Sequence, residues 1–222
     1  MGSEGYFPLS LRGKMAGAGL SAIKNIIFDL GGVLLNLDVN RTYQQLATLG
    51  GVTVEAMRQQ AGSVAFFAEF EKGKISSADF RAELRRHLNT DVTDAKLDEA
   101  WNAMLLDFPA EKLMLLQSLG NTHRTFLLSN TNEIHLQSFT GTLRQMGVPQ
   151  FDVFFERAYY SHLLGLRKPD HAIFEHVLKA ERLLPGETLF IDDTHANVEA
   201  ARELGIIAVH LGHPDQLFEL FQ

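Results

Sequence analysis

Three short apolar runs in this 222-residue chain each end in side chains able to hold a cation or an anion. Ile26-Ile27-Phe28 runs into Asp29, Thr125-Phe126-Leu127-Leu128 into Ser129 and Asn130, and Thr188-Leu189-Phe190-Ile191 into Asp192 and Asp193. Two adjacent carboxylates repel each other unless a cation lies between them. Carboxylates, waters and a phosphate oxygen are the usual surroundings of Mg²⁺, while a serine hydroxyl with backbone N–H groups suits an anion. The chemistry these types suggest is phosphoryl transfer, with Asp29 as candidate nucleophile. One Asp at a strand end would be read as the cap of the next helix. Three coordinated polar ends, the first followed by Gly31-Gly32, read instead as a site.

The elements that must position these groups follow from the same runs. Short, nearly continuous apolar stretches are what strands buried on both faces look like, which means a parallel sheet under helices. Ile206-Ile207-Ala208-Val209 adds another strand after Gly205, a helix stop, and residues 151–160 are expected to supply one more. Asp170 is an expected N-cap, and a second helix is expected after Thr194. Ile173, Phe174, Val177 and Leu178 form one helical stripe, and Val198, Ala201 and Leu204 form a second. The expected fold is a doubly wound α/β sheet, which binds ligands at the carboxyl ends of its strands, where all three polar sets fall. Residues 38–108 hold no strand-like run, and Gly50-Gly51, Gly62, Gly73 and Asn89 separate helical patterns. Such a stretch is too long for a loop. It reads as a helical insert, giving a core of 23–37 and 109–222, a cap of 38–108 and a leader of 1–22.

Composition narrows the function further. Lys and Arg total 20 against 27 Asp and Glu, a net charge of −7, which argues against a nucleic-acid partner. Nowhere do 18 apolar residues run together, so no membrane span is expected. The absence of Cys rules out a thiolate metal site and a thiol nucleophile and fits a cytoplasmic setting. The Gly-rich first twenty residues look like a tag remnant or loose leader. Gly17, Gly19 and Ala22 have dinucleotide-fingerprint spacing but precede the first strand, so that reading is rejected.

Taken together, these residues resemble the haloacid dehalogenase-like hydrolase superfamily, whose core is Rossmann-like. Phe28-Asp29-Leu30-Gly31-Gly32-Val33-Leu34 is similar to the first motif, whose leading Asp attacks phosphorus. Leu128-Ser129-Asn130 is similar to the second, which binds the phosphoryl group. Gly165-Leu166-Arg167-Lys168-Pro169-Asp170 is similar to the third, whose Lys neutralises nucleophile and phosphate. Phe190 to Thr194, with Asn197 and Gly205-Ile206, resembles the fourth, which carries the magnesium carboxylates. The match spans 23–212, and residues 38–108 sit where the family places a helical cap.

The resemblance implies a Mg²⁺-dependent phosphatase acting on a small phosphate ester, expected to be a sugar phosphate, through an aspartyl-phosphate. Asp29 and Lys168 would be catalytic, and Ser129, Asn130 and Lys168 would bind phosphate. Asp29, the Gly31 carbonyl, Asp192 and Asp193 would hold the metal, with Asp192 preferred over Asp193 as direct ligand. Alternatives are a non-catalytic phosphate- or metabolite-binding protein and a 2-haloacid dehalogenase, though a dehalogenase would gain only repulsion from Asp192-Asp193.

One departure stands out. The family's phosphatases carry an acid–base Asp two residues after the nucleophile, and here that position is Gly31. The chain resembles in this the sugar-1-phosphate phosphatases with Gly at that place and, more distantly, the phosphatase-like domain of epoxide hydrolases. General acid–base help is typically worth about 10²–10⁴ in rate. Esters with good leaving groups, such as aryl, acyl and sugar-1-phosphates, should then be favoured, unless a cap residue supplies the proton. His135, His162, His171, His195 and His213 are read as surface or loop histidines, and Arg167 as an outward charge. Asn197 is read as a buttress of the metal loop. Phe66, Phe67, Phe70 and Trp101 are read as packing, while Glu69, Glu71 and Lys72 are candidates to face substrate.

Overall fold

Five parallel strands form the sheet: β1 (Asn25–Phe28), β2 (Arg124–Ser129), β3 (Arg157–Tyr160), β4 (Thr188–Asp192) and β5 (Ile207–His210), in the order β3-β2-β1-β4-β5. The computed structural model describes residues 23–61 and 64–221. The expectations for the leader, for Gly17, Gly19 and Ala22, and for the break at Gly62 lie outside the described residues. Among the described residues no helix is long and apolar enough to cross a membrane.

Strand order and register decide where the polar ends meet. The chain fills one side of β1 with β2 and β3, then returns to fill the other with β4 and β5, so the switch point lies between β1 and β4. Phe28 is level with Leu127 on β2 and with Ile191 on β4. The next residue of each strand, Asp29, Leu128 and Asp192, therefore stands at one edge, where doubly wound sheets bind ligands.

Alternation along β1 sends Ile26 and Phe28 to one face and Ile27 to the other. The first face packs against helices α6 (Ala110–Gly120) and α7 (Glu133–Gln145), through Leu113, Leu116, Phe139 and Leu143. The second packs against α9 (His171–Glu181) and α10 (His195–Glu203), through Ile173, Phe174, Val177, Val198 and Ala201. Short helices α8 (Ser161–Leu164) and α11 (Gln216–Glu219) complete this part.

Residues 38–108 form α1 (Val39–Gly50), α2 (Val54–Ala61), α3 (Ala65–Glu71), α4 (Ser77–Leu88) and α5 (Asp94–Asn102). Their ends are written in local chemistry. Asp38 caps α1 by accepting from the Asn40 N–H, Ser76 and Asp79 make a capping box on α4, and Thr93 caps α5. These helices bury an apolar cluster of their own around Leu46, Phe70, Phe80, Leu84 and Leu97, which Ile134 of α7 joins.

One expectation is narrowed and one needs correction. Residues 151–160 supply the expected further strand, β3, but only over Arg157–Tyr160, since Phe151–Phe154 is a 3₁₀ turn. Phe151 packs against both Phe108, at 5.4 Å between ring centres, and Phe155, at 5.2 Å. Asp170 precedes α9 but makes no side-chain cap, because its carboxylate pairs with Lys72 at 3.1 Å. Thr194 precedes α10 and likewise makes no side-chain cap, its hydroxyl turning to Asp193 Oδ1 at 3.3 Å.

Phe80 is fully buried and stacks on Phe70 at 4.1 Å between ring centres. Phe80→Ala should cost about 3–5 kcal/mol by urea denaturation, as cavity-forming Phe truncations do. Met114→Ala on the exposed face of α6 should stay within about 0.5 kcal/mol.

Candidate active site

The ammonium of Lys168 is the centre of the site. Its Nζ donates to Asp29 Oδ1 at 2.8 Å, to Asp192 Oδ2 at 2.7 Å and to the Leu128 carbonyl at 2.7 Å. All three donors are thereby used, on a side chain only 1% exposed. The backbone carrying it is held by Asn130, whose Oδ1 accepts from the Lys168 N–H at 2.9 Å and whose Nδ2 donates to the Lys168 carbonyl at 2.8 Å. The sequence-expected role of Asn130 was a backbone donor. Its amide side chain has this second task, which the sequence did not reveal.

Asp192 is fully buried and saturated. Oδ1 accepts from the Thr194 N–H at 2.8 Å and from Asn197 Nδ2 at 3.0 Å, and Oδ2 accepts from Lys168. Asn197 is thus the expected buttress. Asp193 still meets solvent, and only its Oδ1 is engaged, by Thr194. The oxygens of Asp192 are held by Lys168, Asn197 and the Thr194 N–H, while Asp193 is the carboxylate open to solvent.

Ligand-capable oxygens of Asp29, Asp192 and Asp193 all lie within 4.8 Å of one another. Burial pushes Asp29 up to about 7; Lys168 opposes the rise, while Asp192 and Asp193 add to it. Asp193 is raised too, by partial burial first and by Asp192 second. Burial alone would lower Lys168, but Asp192 and Asp29 outweigh it and hold the ammonium above its ordinary value. Three carboxylates face one ammonium. An oxygen-rich cluster with surplus negative charge fits a hard divalent cation.

The loop after β1 fits closely against these groups. Gly32 has φ of 71°, and a Cβ there would meet Asp193 Oδ2 at 2.2 Å. Gly31 faces a different neighbour: a Cβ would meet Leu37 Cδ1 at 2.5 Å. Ser129, at the end of β2, is 2% exposed and is not a helix cap, since Asn132 caps α7 by accepting from the His135 N–H.

A cavity of about 450 Å³ opens beyond the loop after Asp29, with Gly31, Ser129 and Asn130 on one side and Phe67, Glu71 and Trp101 on the other. Arg167, expected to point outward, lines this cavity and meets Glu71 at 3.0 Å. Trp101, expected in the core, also lines it, stacked between Phe67 at 5.2 Å and His135 at 5.0 Å. His135 is buried, not on the surface. Its Nδ1 meets Asn132 and its Nε2 meets the Trp101 carbonyl, and burial lowers it to about 4. The His162 side chain is buried as well, 3.6 Å from Glu133. His171, His195 and His213 are exposed beside Glu203, Glu199 and Asp215, as expected. Of the three substrate-facing candidates, Glu71 lines the cavity, Glu69 is exposed elsewhere, and Lys72 pairs with Asp170. Phe66 and Phe70 pack on Phe80, as read. The sequence offered one overlooked signal for Arg167, its place beside Lys168.

A family model for haloacid dehalogenase-like hydrolases matches residues 23–205. The chain is 31% identical over 184 residues to the D-ribitol-5-phosphate phosphatase of Bacteroides thetaiotaomicron, covering 82% of this chain and 89% of that protein. It is 29% identical over 193 residues to the sesquiterpene phosphatase astK of Aspergillus oryzae, covering 86% and 91%. The structure of HAD family enzyme bt-2542 from Bacteroides thetaiotaomicron, complexed with magnesium and inorganic phosphate, superposes with a TM-score of 0.83. Its sequence identity is 34%, over 90% of this chain and 100% of that one.

The close pass of Gly32 against Asp193 generates a test within the site. Gly32→Ala should destabilise the fold by more than about 1 kcal/mol in urea, because Ala is strained at positive φ. A crystal structure of the variant should show the Asp193 carboxylate displaced from its place beside the loop.

Proposed function

The chain belongs to the haloacid dehalogenase-like hydrolase family, and from that premise we propose that it is a Mg²⁺-dependent phosphatase of small phosphate esters. The observation that carries this reading is the Lys168 ammonium, bonded to Asp29 and Asp192 beside Asp193 at the sheet's switch point. Asp29 is the nucleophile and is converted to an aspartyl-phosphate, which water then hydrolyses. Lys168 holds Asp29 in place and offsets charge on the transferring phosphoryl group. The Ser129 hydroxyl and the Asn130 N–H receive phosphoryl oxygens. Bound by Asp29, Asp193 and the Gly31 carbonyl, Mg²⁺ would supply charge neutralisation and orientation of the phosphoryl oxygens. Asp192 keeps Lys168 charged and oriented, with Asn197 behind it.

Residues 38–108 act as a cap over a core of 23–37 and 109–222, and the cavity between them selects the substrate. Its volume lies in the usual range for a small-molecule site. A phosphorylated sugar or polyol is the leading substrate class, supported by the relative named for D-ribitol 5-phosphate. A second reading, a phosphate ester with an apolar body, is favoured by the Leu35, Leu37, Val39, Phe67 and Met104 side chains that line the cavity. A nucleic-acid partner is opposed by the net charge of −7. The same reading places the enzyme in the cytoplasm, where phosphorylated metabolites are made. A 2-haloacid dehalogenase is disfavoured, because three clustered carboxylates serve a cation and only hinder a metal-free reaction.

Phosphate release from a panel containing ribitol 5-phosphate, glucose 1-phosphate, glucose 6-phosphate and a prenyl phosphate, with and without Mg²⁺, tests the reading directly. Turnover should require Mg²⁺ and should fall by about 10⁴-fold or more in Asp29→Asn. A panel with no turnover would overturn the enzyme reading in favour of a binding protein. The proposed division of labour between Asp193 and Asp192 has its own outcome. Asp193→Asn should raise the Mg²⁺ concentration for half-maximal activity by about 10–100-fold. Asp192→Asn should mainly lower kcat and stability, because Lys168 loses an ionic partner in the interior.

A further inference from the structure

The position that would carry an acid–base Asp is Gly31, which has no side chain and lies against the tip of Leu37. Leu37 Cδ1 lies 2.5 Å from where a Cβ on Gly31 would be, and Leu37 itself lines the cavity. The proton for a departing alcohol must come from another wall. Among the residues that line the cavity, Glu71 is the one carboxyl group. The imidazole that lines it, His135, has both ring nitrogens engaged and is neutral at ordinary pH.

Three contacts fix Glu71 over the site. Its Oε2 meets Arg167 Nη2 at 3.0 Å, one residue from Lys168. The following residue, Lys72, pairs with Asp170 at 3.1 Å on the far side of the same loop. Gly73, with φ of 63°, presses so closely on α8 that a Cβ there would lie 2.0 Å from the His162 carbonyl oxygen. The C-terminal end of α3 is therefore pinned to the loop that carries Lys168. Glu71 Oε1 makes no hydrogen bond to the described residues and is the oxygen left for substrate. Burial raises the Glu71 carboxyl above its ordinary range, against the opposing charges of Arg167 and Lys168, so the Lys168 ammonium lies within its electrostatic reach.

Resting on the phosphatase reading above, we propose that Glu71, from the opposite wall of the cavity, is the general acid and base that the Gly31 position lacks. In the first step the Glu71 carboxyl proton passes to the ester oxygen as its bond to phosphorus breaks. The alcohol departs, Asp29 carries the phosphoryl group, and Glu71 is a carboxylate. In the second step that carboxylate takes a proton from water as the water oxygen bonds to phosphorus. The bond from phosphorus to the Asp29 oxygen breaks, phosphate is released, and Glu71 regains its proton. The expectation that Gly31 restricts the enzyme to good leaving groups is thereby replaced. Primary alkyl phosphates are within its range.

Glu71→Gln separates the two steps. With ribitol 5-phosphate, whose alkoxide needs the proton, kcat/KM should fall by about 10²-fold or more. With p-nitrophenyl phosphate, whose leaving group needs none, kcat/KM should fall less than about threefold. The aryl substrate should then reveal the slowed second step. A burst of nitrophenol near one equivalent should precede the steady state, and intact-protein mass spectrometry should find most of the variant phosphorylated at Asp29. Equal losses for both esters in Glu71→Gln, with no phosphoenzyme, would overturn the proposal and leave Glu71 a binding or packing residue. Failure of the phosphatase reading looks different: the wild-type protein would turn over neither ester and would carry no phosphate.

Discussion

Lys168 brings an ammonium into the interior at the carboxyl edge of the sheet, and the surrounding structure keeps it from being alone there. Its three protons go to acceptors from the ends of three adjacent strands, β1, β2 and β4. Leaving one member of a buried ion pair without its partner costs about 3–5 kcal/mol. The register of β1 against β2 and β4 is thus coupled to the charge, because slipping one strand would strand an ion. The same ammonium answers only part of the negative charge it attracts. Asp29, Asp192 and Asp193 remain in excess, and Asp29 is pushed up to about 7 by its own burial. That residual demand for positive charge is the physical reason the site suits a dication and a phosphate dianion together.

The rest of the edge divides its tasks between anchoring groups and open ones. Asp192 spends all its lone-pair directions on Lys168, Asn197 and the Thr194 N–H, and so acts as an anchor. Asp193 keeps an oxygen open. Gly32 gives Asp193 its place by having no side chain, and Asn130 sets the height of the lysine by gripping its backbone on both sides. Gly31 leaves a gap in proton transfer that the adjacent Leu37 fills with carbon, shifting that task in the proposed reaction to Glu71 on α3. Substrate choice and proton supply would then sit on one pinned helix end, so a change in the cap would alter chemistry as well as selectivity.

Much of this was legible before any coordinates. Apolar runs ending in Asp29, Ser129 and Asp192-Asp193 announce buried parallel strands whose last residues face a ligand, since position along a strand is local information. The helical character of 38–108 was readable from the Gly and Asn stops that divide it. The errors have a common cause. Phe151 and Phe155 share an apolar run with real strand residues, yet aromatic packing with Phe108 turns them into a 3₁₀ bend. Asp170 has a cap-forming side chain at a cap position, but Lys72 competes for it and wins. His135 and Arg167 look like surface residues on their own segments and become cavity walls only because α3 and α5 fold over them.

What the sequence determined by itself is the menu of groups and the order of elements: five strands, the helices between, and which residue types stand at which strand ends. These are set by near neighbours, through side-chain period, turn residues and caps. What only the tertiary structure decided is who pairs with whom across the molecule. Lys168 reaches Asp29 over 139 residues of chain and Asp192 over 24, and nothing local to any of the three specifies that meeting. Asp193 rather than Asp192 keeps open oxygens, Leu37 sits against Gly31, and Glu71 faces the cavity while Glu69 does not. Each of these outcomes depends on steric closeness and desolvation, which exist only once distant segments share one interior.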